Sequence, residues 1–161
     1  MTTSVDHITV AMYTMCLVQD QDKVLLLNRP NHKGFPGWIG PGGKVDFPES
    51  LTEGAIREVR EETGLIVKDL IYKGLDEYVD PKQNYRYMVF NYLATSYEGE
   101  LLHNPPEGEL EWIPIKEALR YPMQPWFQRR FPLFFEEGTF EIYEIWDEEE
   151  QMTLKETVKR T

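Results

Sequence analysis

At 161 residues, 41% apolar and 13% aromatic, the chain is long enough to bury one core and too apolar to be disordered. A net charge of −11 argues against a nucleic-acid polymer or an anionic membrane as partner, because both call for a basic footprint. The single cysteine, Cys16, lies in an apolar run and reads as a buried structural thiol, so no internal disulfide is available and a reducing, cytoplasmic setting is expected.

The first segment with strand character covers residues 7–18, rich in β-branched side chains, with Asp6 and His7 interrupting any signal-like pattern before it. A turn is expected at Gln19–Asp22, a second strand at Lys23–Arg29, then a Pro/Gly/Asn/His loop to Gly37. Trp38-Ile39-Gly40 leads into the turn Gly40-Pro41-Gly42-Gly43. Ser50 and Glu53 form a capping box that starts a helix; Gly64 ends it, and Leu51, Ala55 and Val59 give it an apolar stripe. Strands follow at 66–79 and 85–96, joined by the turn-rich Asp80-Pro81-Lys82-Gln83-Asn84. Residues 97–108 read as a long loop, Glu109–Ile113 as a strand, 115–120 as a short helix and 124–136 as an amphipathic helix. The alternation at 139–146 is that of a strand, Asp147–Glu150 a turn, and 152–158 a closing strand. Strands on both sides of a central helix, with a second helix late in the chain, fit an α/β sandwich of one domain over residues 1–161.

Chemistry concentrates in the first helix. Glu58, Glu61 and Glu62 stand three and four residues apart and share neighbouring faces. Like charges at i,i+4 cost about 0.2–0.5 kcal/mol, and the C-terminal end of a helix disfavours anions. Such local conflict marks a functional site. A bound hard cation, Mg²⁺ or Mn²⁺, resolves it, since carboxylates are its natural ligands. The three histidines, His7, His32 and His103, are far apart and show no ligand spacing.

From Gly43, five residues lead to Glu49, and seven more to Arg57-Glu58-Val59-Arg60-Glu61-Glu62-Thr63-Gly64-Leu65. Every defined position matches the Nudix box, and the chain resembles Nudix hydrolases of the MutT-type branch. The resemblance implies an α-β-α sandwich around a central mixed β-sheet. It also implies hydrolysis of a diphosphate bond in a nucleotide, with Mg²⁺ (or Mn²⁺) as cofactor and water attacking phosphorus in line. By the same resemblance Glu61, Glu62 and the Gly42 carbonyl are metal ligands, Glu58 is a ligand or the general base, and Arg57 belongs to the catalytic group, pairing with a box glutamate. Glu107 is the candidate for a loop ligand of a second metal, with Glu109 and Glu111 as competitors. Arg29 and Lys44 are candidate phosphate-binding residues, each with a plain surface role as the alternative. A P-loop is excluded, because Gly43-Lys44 lacks both the upstream glycine and the following Ser or Thr.

The segments 25–29 and 37–44 look like enzymes that convert oxidised purine triphosphates such as 8-oxo-dGTP to the monophosphate and pyrophosphate. Trp112, then Tyr121-Pro122, then Trp126, Phe127, Phe131, Phe134 and Phe135 follow the layout of that branch. Relatives read the base with an aromatic followed by Pro-Asp-Asp. Here the run is Tyr121-Pro122-Met123-Gln124, and Ile39 stands where relatives carry asparagine. Tyr121 is therefore the candidate for stacking and Gln124 for hydrogen-bonding the base edge, by a chemistry different from theirs. The alternatives are hydrolysis of ADP-ribose, a dinucleoside polyphosphate or a nucleotide sugar, and a non-catalytic nucleotide-binding module. The expected partner is a small nucleotide, with monomer or homodimer open.

Overall fold

The computed structural model describes residues 7–161; the reading of Asp6 lies outside them. Their strands are β1 (Thr9–Asp20), β2 (Lys23–Arg29), β3 (Gly37–Ile39), β4 (Gly42–Lys44), β5 (Ile66–Val67), β6 (Ile71–Asp80), β7 (Tyr85–Ala94), β8 (Tyr97–Glu98), β9 (Glu109–Pro114), β10 (Phe140–Asp147) and β11 (Met152–Arg160). The α-helices are α1 (Leu51–Thr63) and α2 (Pro125–Arg130). One nine-stranded sheet runs β11-β10-β6-β7-β1-β2-β3, with β4 paired to β1 and β9 to β2; β5 and β8 form a separate pair. It is mixed: β1 lies parallel to β7 and β10 to β6, and the other pairs are antiparallel.

Alternation along the strands sorts the core into two layers. Met15, Leu17, Val24, Leu26, Val89 and Ile113 pack with Phe127, Phe131 and Phe134, beneath α2 and the turn after it. Cys16, Val18, Leu25 and Tyr92 pack with Ala55 and Val59 of α1. The result is the expected α-β-α sandwich around a mixed sheet. Cys16 is fully buried, and burial pushes its thiol up to about 12. No described helix is long and apolar enough to cross a membrane.

Several boundaries differ from the sequence reading. β1 continues through Gln19 and Asp20, and the turn tightens to residues 21–22, with Gln21 at φ 55°. The expected strand 66–79 is broken into β5 and β6, with Asp69 at φ 54° between them. The loop after residue 96 contains β8. Residues 115–120 form a 3₁₀ helix. The expected helix 124–136 is α-helical only to Arg130 and becomes 3₁₀ over Phe131–Phe135. Pro132 accounts for that change, since it has no N–H to donate and its ring crowds the preceding turn.

One irregularity of the sheet positions the site. β1 and β2 pair only near their hairpin, from Val18–Leu25 to Asp20–Lys23, and then diverge. The β3–β4 segment fills the gap, with β3 on β2 and β4 on β1. It bends at Gly40, where a Cβ would collide with Leu17. The Gly42-Gly43 pair is thereby wedged into the sheet directly beside α1.

Candidate functional site: the carboxylate cluster

Ser50 caps α1 as the sequence predicts: its hydroxyl accepts from the Glu53 N–H at 3.1 Å, and Glu53 accepts from the Ser50 N–H. Gly64 closes the helix at φ 88° in the left-handed region. Ala55 and Val59 are buried and Leu51 is half-buried, so α1 sits flat on the sheet with its glutamates turned to β4.

Arg57 is the hub. It grips Glu49 through Nη2 at 2.8 Å and Nε at 3.0 Å, and Nη1 donates to Glu58 at 3.0 Å and Glu61 at 3.1 Å. Nη2 also donates to the Lys44 carbonyl at 3.0 Å and lies 3.4 Å from Asp46. The Arg57 hydrogen bond holds the Glu49 carboxyl below its ordinary range, with the Asp46 N–H assisting, and Glu49 in turn raises the Arg57 guanidinium. Glu58 is raised instead, because burial outweighs its bond to Arg57. The space Glu58 occupies exists because residue 43 is glycine: a Cβ there would lie 2.6 Å from the carboxylate.

Glu62 is 9% exposed and so is not the surface carboxylate its helix position suggests. Burial pushes its pKa to about 8; the Gly42 N–H pulls against this, while Glu58 and Glu107 reinforce it. That N–H donates to Glu62 Oε2 at 3.1 Å. The register explains the contact. Cys16·Pro41 and Met12·Val45 are hydrogen-bonded across β1–β4, so Gly42, between bonded positions, turns its N–H and C=O away from β1.

The charges of Glu107 and Arg29 also act on Glu62, Glu107 raising its pKa and Arg29 lowering it. Glu109 and Glu111 pair with Asn28 and Leu26, on the opposite side of the sheet from α1. Of the three loop and strand glutamates, Glu107 is thus the one the fold brings to the cluster. Gly108 beside it packs against the Asn28 carbonyl at φ 149°, where a Cβ has no room. Arg29 donates to the Lys33 carbonyl at 2.5 Å, and its Nε is buried with no partner among the described residues. The Lys44 side chain is exposed, opposite Tyr13.

Among the described residues, no three His, Cys, Asp or Glu side chains converge tightly enough to enclose an ion, because Arg57 holds three of the box carboxylates and Glu62 is turned to Gly42. The donor set nonetheless suits a divalent cation: hard oxygen ligands, two of them disfavoured as anions by burial, against a glycine pair with no side chain in the way.

Tyr121 and Gln124 lie elsewhere, on the α2 side. Tyr121 is half-buried and meets Trp38 edge to face at 5.4 Å. The Gln124 amide nitrogen donates to the Pro36 carbonyl at 2.9 Å, which leaves its oxygen and one N–H for a ligand. Close to Tyr121 is a group the sequence reading did not single out. Tyr13 and Tyr87 rings are 4.8 Å apart, Tyr87 stacks on Tyr78 at 5.1 Å, and Tyr78 is 6.1 Å from Tyr85. Tyr13, Tyr87, Ile39, Tyr121, Met123 and Trp126 all rim the same core layer, half-buried. The signal was present as alternation, Tyr85 and Tyr87 on one face of β7, but their meeting with Tyr13 and Tyr78 depends on strand order.

The family model of the NUDIX domain matches residues 9–134. The chain is 36% identical over 115 residues to the uncharacterized Nudix hydrolase YvcI of Bacillus subtilis, covering 70% of this chain and 71% of that one. It is 42% identical over 62 residues to the mouse oxidized purine nucleoside triphosphate hydrolase, covering 38% and 40%. Among solved structures, the MutT protein of Bacillus halodurans superposes with a TM-score of 0.79 at 33% identity, over 92% of this chain and 97% of that one. Other relatives are named for ADP-ribose and for CTP.

Proposed function

We propose, from the premise that this chain belongs to the Nudix hydrolase family, whose members act on diphosphate bonds of nucleotide derivatives, that its substrate is a nucleoside triphosphate. Within that class we favour an oxidised purine nucleotide, 8-oxo-dGTP passing to 8-oxo-dGMP and pyrophosphate, in nucleotide-pool sanitisation. The observation that carries the reaction is the gathering of Glu58, Glu61 and Glu62 against Gly42-Gly43, with Glu107 and Arg29 close enough to act on Glu62. Nudix hydrolases generally need a divalent metal, and we take Mg²⁺ or Mn²⁺ as the ion here. Glu61, Glu62 and the Gly42 carbonyl would hold it, with Glu58 as a further ligand or the general base and Glu107 as the loop ligand of a second ion. When bound, the cation supplies charge neutralisation and Lewis acidity at the diphosphate oxygens.

Arg57 positions the carboxylates, through the five side-chain and backbone acceptors it links. Glu58, whose carboxyl burial raises, would take a proton from attacking water if it serves as the base and not as a ligand. Arg29, whose charge acts on Glu62, would bind a phosphate beside the cluster. The tyrosine-rimmed surface on the α2 side, with Tyr121 and Trp126, offers faces for a purine to stack on. Since β10 and β11 extend the same sheet beyond the matched residues, we take 1–161 as a single domain. The free buried thiol suits the cytoplasm.

Hydrolysis with Mg²⁺ of 8-oxo-dGTP, dGTP, the other triphosphates, ADP-ribose and diadenosine polyphosphates, read by chromatography of the nucleotide products, tests this. Preference for 8-oxo-dGTP supports the reading. Activity confined to ADP-ribose or dinucleotides overturns the substrate assignment and keeps the family chemistry.

A further inference from the structure

Arg130, on α2, is 2% exposed, yet its guanidinium is only partly engaged. Nε donates to Asp76 Oδ2 at 2.8 Å and Nη1 to Asn91 Oδ1 at 3.2 Å, with Met15 Sδ at 3.5 Å. Nη2 has no hydrogen-bond partner among the described residues, and it is not one of the polar atoms sealed from solvent. Its neighbours locate it. Met15 and Asp76 are each one same-face step along their strands from Tyr13 and Tyr78, and Asn91 lies two steps from Tyr87. The guanidinium carbon is 5.3 Å from the Trp126 ring centroid. Burial pushes the Tyr87 phenol up to about 12, with the Arg130 charge pulling against it. A fixed donor therefore stands at the inner end of the tyrosine patch, between Trp126 and the sheet.

We propose that Arg130 reads the base: its free Nη2 donates to an oxygen acceptor on the edge of a keto purine, guanine, its 8-oxo form or hypoxanthine. The inference rests on the α2 side being the base site. A guanidinium is a donor only, and with Nε and Nη1 engaged by Asp76 and Asn91 its Nη2 is left to donate to the keto oxygen. Adenine presents an amino donor where guanine has O6, so it would leave the arginine unmatched. Asp76 and Asn91 pin the side chain before a ligand arrives, and this lowers the ordering cost of binding. The neighbouring Arg129 is held by Asp76, Glu144 and Glu156 at the Tyr78 flank of the patch, where Glu144 is the cross-strand partner of Tyr78. Arg130 would thus supply base discrimination in a chain that lacks the paired aspartates and the asparagine its relatives use.

Isothermal titration of GMP, IMP and AMP against wild type, Arg130→Met and Arg130→Lys tests the assignment without needing turnover. Wild type is expected to bind GMP and IMP about tenfold or more tighter than AMP, on the scale of one charge-assisted hydrogen bond. Arg130→Met should lose that preference while AMP affinity stays within about twofold. Arg130→Lys keeps the charge beside Asp76 but replaces three separately directed nitrogens with one, so it should also lose the preference, and it serves if the methionine variant fails to fold. Equal binding of the three nucleotides by wild type, or a preference that survives both substitutions, overturns the proposal. Discrimination in binding with no hydrolysis of any tested substrate would leave this proposal standing and sink the hydrolytic reading of the carboxylate cluster.

Discussion

Two arginine-centred clusters flank the sheet, and their charge balance differs. On the α1 side Arg57 faces Asp46, Glu49, Glu58 and Glu61, with Glu62 buried next to them. On the α2 side Arg129 and Arg130 face Asp76, Glu144 and Glu156, with Asn91 completing the set. The first cluster carries a large excess of negative charge in a partly desolvated place; the second is close to neutral. Surplus carboxylates held at a fold's expense imply a cation as the missing partner, whereas a balanced buried pair fixes one packing of helix on sheet.

The sharpest way to break that contrast is to unbalance the neutral cluster. Asp76→Ala leaves Arg130 buried without its counter-ion, and urea unfolding should show a loss of about 3–5 kcal/mol. A loss under about 1 kcal/mol would mean the guanidinium reaches water and the cluster is not a buried one. In the acidic cluster removal of charge should act on rate and not on fold. Glu61→Gln or Glu62→Gln should lower turnover about a hundredfold or more, the scale of a lost catalytic group, while the circular dichroism spectrum is unchanged. Wild-type rates in both variants would remove these residues from the site.

A subtler difference concerns pH. The folded pKa of Glu62, about 8, lies above its ordinary 4.5. Its contribution to stability is therefore complete below about 4.5 and lost as pH rises through about 8. With chelator present, Glu62→Gln should melt higher than wild type at pH 8, by a margin on the order of 1–3 kcal/mol, and match it near pH 5. An equal gain at both values would assign the effect to packing. The smallest expected effect lies at the start of α1. Ser50→Ala removes the cap and should cost about 1 kcal/mol in thermal unfolding, with KM unchanged because the cap is a full helix length from Glu61 and Glu62.

The carboxylate site was readable because nearly all of it lies on one helix and its lead-in turn. A 3.6-residue period, a capping box and a C-terminal glycine fix where Glu58, Glu61 and Glu62 point, whatever the rest of the chain does. The degree of burial was not readable. That Glu62 is nearly enclosed follows from β4 being wedged between diverging β1 and β2, a tertiary event. The α2 side was legible only as composition. Tyr121 and Trp126 stood out beside the proline, but Gln124 turned to Pro36, and Tyr13, Tyr78, Tyr85 and Tyr87 went unremarked.

Sequence by itself determined the family, the chemistry of the box and the local form of α1, because residues within a few positions of one another interact through fixed helical geometry. Tertiary structure alone decided that Glu107 acts on Glu62 while Glu109 and Glu111 face the other side of the sheet, and it brought four tyrosines together and Arg130 against Met15 and Asp76. Those contacts join residues up to 115 positions apart, as in Arg130 with Met15, and strand order sets them, which no local period encodes.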